Sequence, residues 1–178
     1  MKSLIELPPR TIMEVYKNLP EGTLAELIEN VIYMSLSPVT NHQKVLQSIF
    51  RRLSEAIEDH KRGDVIIAPF DIYLDEVANA VQPDIVAILN DNKGNLNPNG
   101  HFHGVPDFIV EVLSPGNKDH DLVKKKELYE RFGVKEYWVI DPQTKQAQGF
   151  ELRSNTYQSI FEGTGNIQSN LLNLSFVF

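Results

Sequence analysis

Two hydrophobic periods alternate along the chain, and the changes between them mark out its elements. Between residues 41 and 60, His42, Val45, Leu46, Ile49, Phe50, Leu53 and Ile57 recur at steps of three and four, while Arg51, Arg52, Glu55 and Glu58 fall elsewhere. This spacing predicts one long amphipathic helix, with Asn41 as its N-cap and Gly63 just beyond its end. In VIIAPFDIYLD (65–75), Ile66, Ala68, Phe70, Ile72 and Leu74 alternate with a more mixed face, which predicts a strand buried on one side. Strands are also expected at VQPDIVAIL (81–89), DFIVEVL (107–113) and EYWVID (136–141). The second of these is so continuously apolar that both its faces should be covered. The helical period returns from about 121 to 132, with Asp119 or Asp121 at its start and Gly133 at its end.

Shorter signals complete the outline. Residues 11–18 form a short helix capped by Thr11 and stopped before Pro20, and LAELIENVIYMS (24–35) reads as a β-hairpin turning at Glu29-Asn30. Asn90 to Gly104 is rich in Asn, Gly, Asp and His and reads as an exposed loop. AQGFELR, TYQSIFE and LLNLSFVF form a strand-rich C-terminal piece with a turn at Ser154-Asn155, and residues 143–178 carry no functional signal. The order helix, three strands, helix, strand predicts a mixed α/β sheet with helices packed on it, in a single domain spanning 1–178.

Composition narrows the chemistry. The chain has 178 residues, 42% hydrophobic and 23% charged, as expected of a globular protein with one sizeable core. It has no cysteine, which excludes disulfides, thiol nucleophiles and thiolate zinc sites. No secretory signal or membrane-spanning run is visible, so a soluble cytoplasmic protein with no membrane contact is expected. Seventeen lysines and arginines face 24 acids, a net charge of −7, so any nucleic-acid contact must be local rather than a matter of bulk charge.

The informative residues are charges inside apolar segments, because an unpaired buried charge costs several kcal/mol or more. Glu111 lies within Phe-Ile-Val-Glu-Val-Leu, and Asp84 follows Pro83 at the head of an apolar strand. At about 100° per residue, Lys125 points between Tyr129 and Phe132 on the apolar face, Lys124 points outward, and Lys126 lies near the stripe's edge. Each has a structural explanation when taken alone: a strand-entry cap, a buried ion pair, a snorkelling lysine. Together they specify more. Carboxylates on adjacent strands can hold a divalent cation, and a nearby ammonium can stabilise phosphate charge or orient water. Asp107 repeats the Pro-Asp dipeptide, but four residues along one strand place it roughly 13 Å from Glu111, too far to share a metal. It is assigned a structural or loop role.

Pro83-Asp84, a spacer and then Glu111 resemble the signature of the PD-(D/E)XK nuclease superfamily, and in particular its bacterial restriction-endonuclease-like branch. The supporting stretches are AELIEN-VIYMS with His42 after it, VQPDIVAIL, PDFIVEVLSP and DLVKKKELYERFGVKEYWVIDP, together about residues 24–142. The resemblance implies an αβββαβ core with an N-terminal β-hairpin and extra C-terminal strands. It implies Mg²⁺ or Mn²⁺ at Asp84, Glu111 and the carbonyl of Val112, with Glu26 beside the metal or its water. It further implies DNA as substrate and, since such nucleases commonly dimerise to address both strands, a homodimer. The superfamily's usual lysine, two positions after the glutamate, is replaced by Leu113, and Lys125 on the following helix corresponds to it. The alternative is a catalytically silent nuclease scaffold that binds nucleic acid or a protein.

Other residues carry weaker signals. His42 could hydrogen-bond Glu26, a substrate phosphate or local backbone. His101-x-His103 lacks a visible third ligand for zinc. Lys124 to Lys126, with Arg51 and Arg52, could supply local phosphate contacts. Tyr129, Tyr137 and Trp138 read as core.

Overall fold

The computed structural model describes residues 8–98, 100–114 and 120–178. The sequence also predicts an arm over the first ten residues and a chain break at Ser114-Pro115-Gly116; residues 1–7, Pro115 and Gly116, the helix start at Asp119 and the Asp121 side chain lie outside the described residues.

The long stripe of apolar residues forms α2 (Thr40–Ile57), which buries Val45, Leu46, Ile49, Leu53 and Ile57. It starts two residues earlier than an Asn41 N-cap would place it. Val39 is the N-cap and makes no side-chain cap bond, and Asn41 instead donates to the Pro142 carbonyl at 2.5 Å. The short helix α1 (Ile12–Lys17) is capped by Thr11, which accepts from the Glu14 amide.

The stripe of α2 packs on a mixed sheet of β3 (Gly63–Ile67), β6 (Ile85–Leu89), β9 (Phe108–Val112), β10 (Glu136–Ile140), β11 (Gln146–Arg153) and β12 (Thr156–Thr164). The strand order is β12-β11-β10-β9-β6-β3. Only β9 and β10 run parallel; the other neighbours are antiparallel. Alternation sorts the side chains between two cores. Ile85, Ala87, Phe108, Val110, Val112, Trp138 and Ile140 meet α2, whereas Val86, Ile88, Ile109, Leu113, Tyr137 and Val139 face the other way, toward α3 (Lys126–Phe132). Both faces of the central strands are thus covered, as the unbroken apolar run at 107–113 requires.

A second sheet, ordered β2-β1-β5-β4-β8-β7, lies beyond the α3-side core. It contains β1 (Ala25–Ile28), β2 (Val31–Met34), β4 (Ile72–Tyr73), β5 (Ala80–Val81), β7 (Asn95–Leu96) and β8 (Phe102–His103). β1 and β2 form the expected hairpin, and Glu29 and Asn30 take φ of 53° and 62°, the left-handed pair of a tight hairpin turn. Three expectations change here. The run 65–75 is two strands in different sheets, because Pro69 offers no N–H to continue the ladder. The run 81–89 divides at Pro83 for the same reason. The polar stretch 90–104 also supplies β7 and β8, and Phe102 within it is fully buried.

Residues 143–178 extend and close the fold. β11 and β12 turn at Ser154-Asn155, and the hairpin of β13 (Asn166–Ser169) and β14 (Leu174–Val177) places Ile167, Leu172 and Phe176 in the α2-side core. Glu136 anchors this hairpin. It is fully buried, accepts Trp138 Nε1 at 2.6 Å and the Leu171 amide at 2.9 Å, and burial raises its pKa above the ordinary glutamate value. A raised folded pKa means that, above the ordinary range, the native state holds a proton the unfolded chain has released, so stability falls as pH rises through that window. Glu136→Gln removes this titration. Urea denaturation at pH 5 and pH 7 should show the stability of wild type relative to Glu136→Gln decreasing at the higher pH; an unchanged difference would refute the assignment.

Asp107 has the structural role expected of it. It is 1% exposed, accepts the Leu89 amide at 2.8 Å and Asn92 Nδ2 at 2.7 Å, and pairs with Lys135 at 2.7 Å. Asp107→Ala should lower unfolding free energy by about 3 kcal/mol, since it strands buried donors. Urea denaturation checks this, and an unchanged unfolding free energy would refute the structural role. Among the described residues, no helix is long and apolar enough to cross a membrane.

Candidate active site

The two proline breaks lie side by side, with the Ala68 amide donating to the Asp84 carbonyl at 3.0 Å. Here the chain leaves one sheet for the other, and a cavity of about 350 Å³ opens at the seam. Ala68, Pro69, Gln82 and Asp84 line it, together with Glu26, Glu111, Val112, Lys125 and His42. Every residue singled out in the sequence as catalytic or metal-binding therefore reaches one cavity.

Strand register explains the meeting of the two acids. Ile85 pairs with Val110 and Val86 with Ile109, so the next position outward sets Asp84 against Glu111. Opposite residues of an antiparallel pair share a face with Cβ atoms about 5 Å apart. That face is the one covered by α3. The Asp84 carboxylate accepts the Val112 amide at 2.7 Å and lies 3.2 Å from His42 Nε2, both through Oδ2. Of the partners open to His42 in the sequence, the structure supplies a different one, Asp84.

Lys125 comes from the last position of a π-helical turn, His120–Lys125, that runs directly into α3. Wide turns of this kind recur at functional sites. The ammonium lies 2.9 Å from Glu111 Oε1 and 3.0 Å from Glu26 Oε1, and all three side chains are nearly fully buried. Its neighbours go elsewhere: Lys124 is exposed with Nζ 3.0 Å from the Tyr33 hydroxyl, and Lys126 lies over the Phe150 ring. The inward-facing lysine is the one the helical period selects. Leu113, two residues after Glu111, shares an apolar cluster with Leu128 and Tyr129.

Two supporting residues were not read from the sequence as part of the site. Tyr129, expected only in the core, is buried but also donates its hydroxyl to Glu111 Oε1 at 2.8 Å. Burial first, then the Glu111 and Glu26 charges, hold its hydroxyl pKa well above the ordinary tyrosine value, so it remains a donor. Its four-residue spacing from Lys125 was the available signal. Gln82 donates its amide N–H to Glu26 Oε1 at 2.8 Å, while its side chain bonds the Thr23 carbonyl and Asp71. Nothing in the local pattern marks it.

Three carboxylates thus face one ammonium, and a surplus of negative charge remains. The donors are hard oxygens, the type that suits Mg²⁺ or Mn²⁺. Among the described residues, no three His, Asp or Glu side chains are already gathered into a metal cluster. Magnesium requires only one or two carboxylates completed by carbonyl, water and phosphate oxygens, so the residues present fit it. His101 and His103 lie apart from this group, facing Asp71 and Glu76 respectively.

The sequence model of the Uma2 family, described as "Putative restriction endonuclease", matches residues 13–176. The chain belongs to the Uma2 family. A crystal structure described as a "putative nuclease belonging to DUF820" from Anabaena variabilis ATCC 29413 superposes with a TM-score of 0.76. It covers 95% of both chains at 16% identity. No curated protein matches the chain. The Uma2 chain is therefore a PD-(D/E)XK-type, restriction-endonuclease-like α/β protein, in which a mixed sheet is flanked by helices and carries the added hairpin and C-terminal strands.

Proposed function

We propose that this Uma2-family chain is a metal-dependent endonuclease that hydrolyses DNA phosphodiester bonds. The supporting observation is the convergence of Asp84, Glu111, Glu26 and Lys125 on one cavity, with the two strand carboxylates in register and the ammonium bridging two of the acids. Asp84, Glu111 and the Val112 carbonyl would hold Mg²⁺ or Mn²⁺. Such an ion supplies Lewis-acid stabilisation of a phosphoryl oxygen and lowers the pKa of water.

The chain's own groups position the rest. The Val112 amide and His42 fix Asp84, Tyr129 fixes Glu111, and the Gln82 amide fixes Glu26. Lys125 offers positive charge to the oxygens of the phosphorane-like transition state, where a preorganised donor is most effective. Water attacks phosphorus in line with the leaving sugar oxygen: its oxygen bonds phosphorus as the phosphorus–sugar oxygen bond breaks. Glu26 would accept a hydrogen bond from that water, which releases a proton to solvent while the leaving sugar oxygen takes one up.

The test is incubation of purified protein with supercoiled plasmid and Mg²⁺ or Mn²⁺, beside Asp84→Ala and Lys125→Ala. Nicking by wild type alone supports the reading. Equal nicking by all three would identify a contaminant. No nicking of any DNA would favour the silent binding scaffold, to which the acidic net charge and the pairing of Lys125 with Glu26 and Glu111 would then point.

A further inference from the structure

The cavity combines two chemistries, and the catalytic reading uses one of them. Its floor carries the acids and Lys125. Its mouth carries Met34, Leu36 and Val39, contributed by the end of β2 and the chain leading into α2, and these side chains are 65%, 85% and 53% exposed. Leu36 is the most exposed large apolar side chain among the described residues. Apolar exposure concentrated at the mouth of a cavity marks a contact surface for a ligand.

The lining also shows which ligand suits it. Lys125 is the only lysine or arginine among the described residues that line the cavity, and it is engaged with Glu26 and Glu111. A paired duplex turns its phosphates outward and hides the faces of its bases, and proteins grip it through several cationic phosphate contacts. Against this mouth, a duplex would set phosphates on Leu36 and Met34 and gain little. A nucleotide out of the stack presents one phosphodiester beside one flat apolar base. These match the floor and the wall respectively. The volume, about 350 Å³, is at the lower end for small-ligand pockets and suits one nucleotide rather than a double helix.

We propose that the site takes DNA at an unpaired nucleotide, the base lying against Met34, Leu36 and Val39 while its phosphodiester reaches Asp84, Glu111 and Lys125. This rests on the nuclease reading and adds the substrate class to it. The unpaired nucleotide can belong to a single strand or be extruded from a duplex; in both cases the exposed base face is what the wall recognises.

Fluorescence anisotropy in Ca²⁺, with labelled oligodeoxynucleotides that are single-stranded, paired with one unpaired base, or fully paired, tests this directly. At least tenfold tighter binding of the first two over the third is expected. Leu36→Asp should weaken binding of those two about tenfold, and Val177→Asp, an exposed apolar position outside the cavity, should not. With 2-aminopurine at the unpaired position, wild type should brighten the probe more than Leu36→Asp does. The ratio between the first two oligonucleotides separates a single-strand from an extruded-base substrate. Equal affinity for the fully paired duplex, no binding to any of the three, or indifference to Leu36→Asp would overturn the proposal. Metal-dependent, Asp84-dependent nicking together with such a result would leave the nuclease reading intact. Leu36-dependent binding without nicking would support the base wall and remove the hydrolytic step.

Discussion

Asp84→Asn is expected to lower Mg²⁺-dependent plasmid nicking about 10³-fold while leaving the fold almost unchanged. The expectation follows from the two jobs of this carboxylate. One is structural: Oδ2 accepts the Val112 amide at 2.7 Å and lies 3.2 Å from His42 Nε2. An asparagine carbonyl can still accept the Val112 bond, so stability should fall by no more than about 1 kcal/mol. The other is electrostatic. Asparagine brings no charge opposite Glu111, so the proposed divalent ion would lose one of the two carboxylates assigned to it, and removal of a single transition-state-stabilising group commonly costs 10²–10³ in rate. Titration calorimetry with Mn²⁺ should show binding heat in wild type and none in the variant. Wild-type nicking by Asp84→Asn would remove this carboxylate from the chemistry.

Lys125→Met should cost both stability and activity. Methionine matches the length of the lysine stem but leaves Glu26 and Glu111, 5% and 3% exposed, facing the gap without their ammonium. Breaking a buried ion pair from one side costs about 3–5 kcal/mol, because the remaining charge is stranded away from water. Nicking should fall about 10²–10³-fold with the loss of positive charge near the phosphate. The two effects separate in the double variant Lys125→Met with Glu111→Gln. Removing one stranded charge should restore part of the stability in chemical denaturation, and activity should remain absent. If Lys125→Met unfolds no more easily than wild type, the bridging geometry is wrong.

The proline breaks show how far local pattern reaches. Within 65–75, Ile72 and Leu74 of the predicted face are buried but Ile66, Ala68 and Phe70 are only half-buried, and Val65 and Tyr73 of the other face are buried too, because the run spans two sheets. Alternation records faces, and Pro69 decides where pairing stops. The same holds at Pro83, where the residue that ends one strand run delivers Asp84 to the seam. Polar composition marks 90–104 as an exposed loop, yet Phe102 within it packs fully into the α3-side core. A single buried aromatic outweighs many polar neighbours, and no window average registers it.

By itself the sequence determined the local features of this protein: the α2 stripe, the inward Lys125 between an outward Lys124 and an edge Lys126, the strand acids, and the Glu29-Asn30 hairpin turn. These follow from the helical and strand periods and from local backbone sterics, which act over a few residues. The tertiary structure alone decided that His42 serves Asp84, that Tyr129 and the Gln82 amide hold Glu111 and Glu26, and that an apolar mouth stands above the acids. Each of those contacts joins residues far apart in the chain, so it exists only once the two sheets, α2 and α3 have come together.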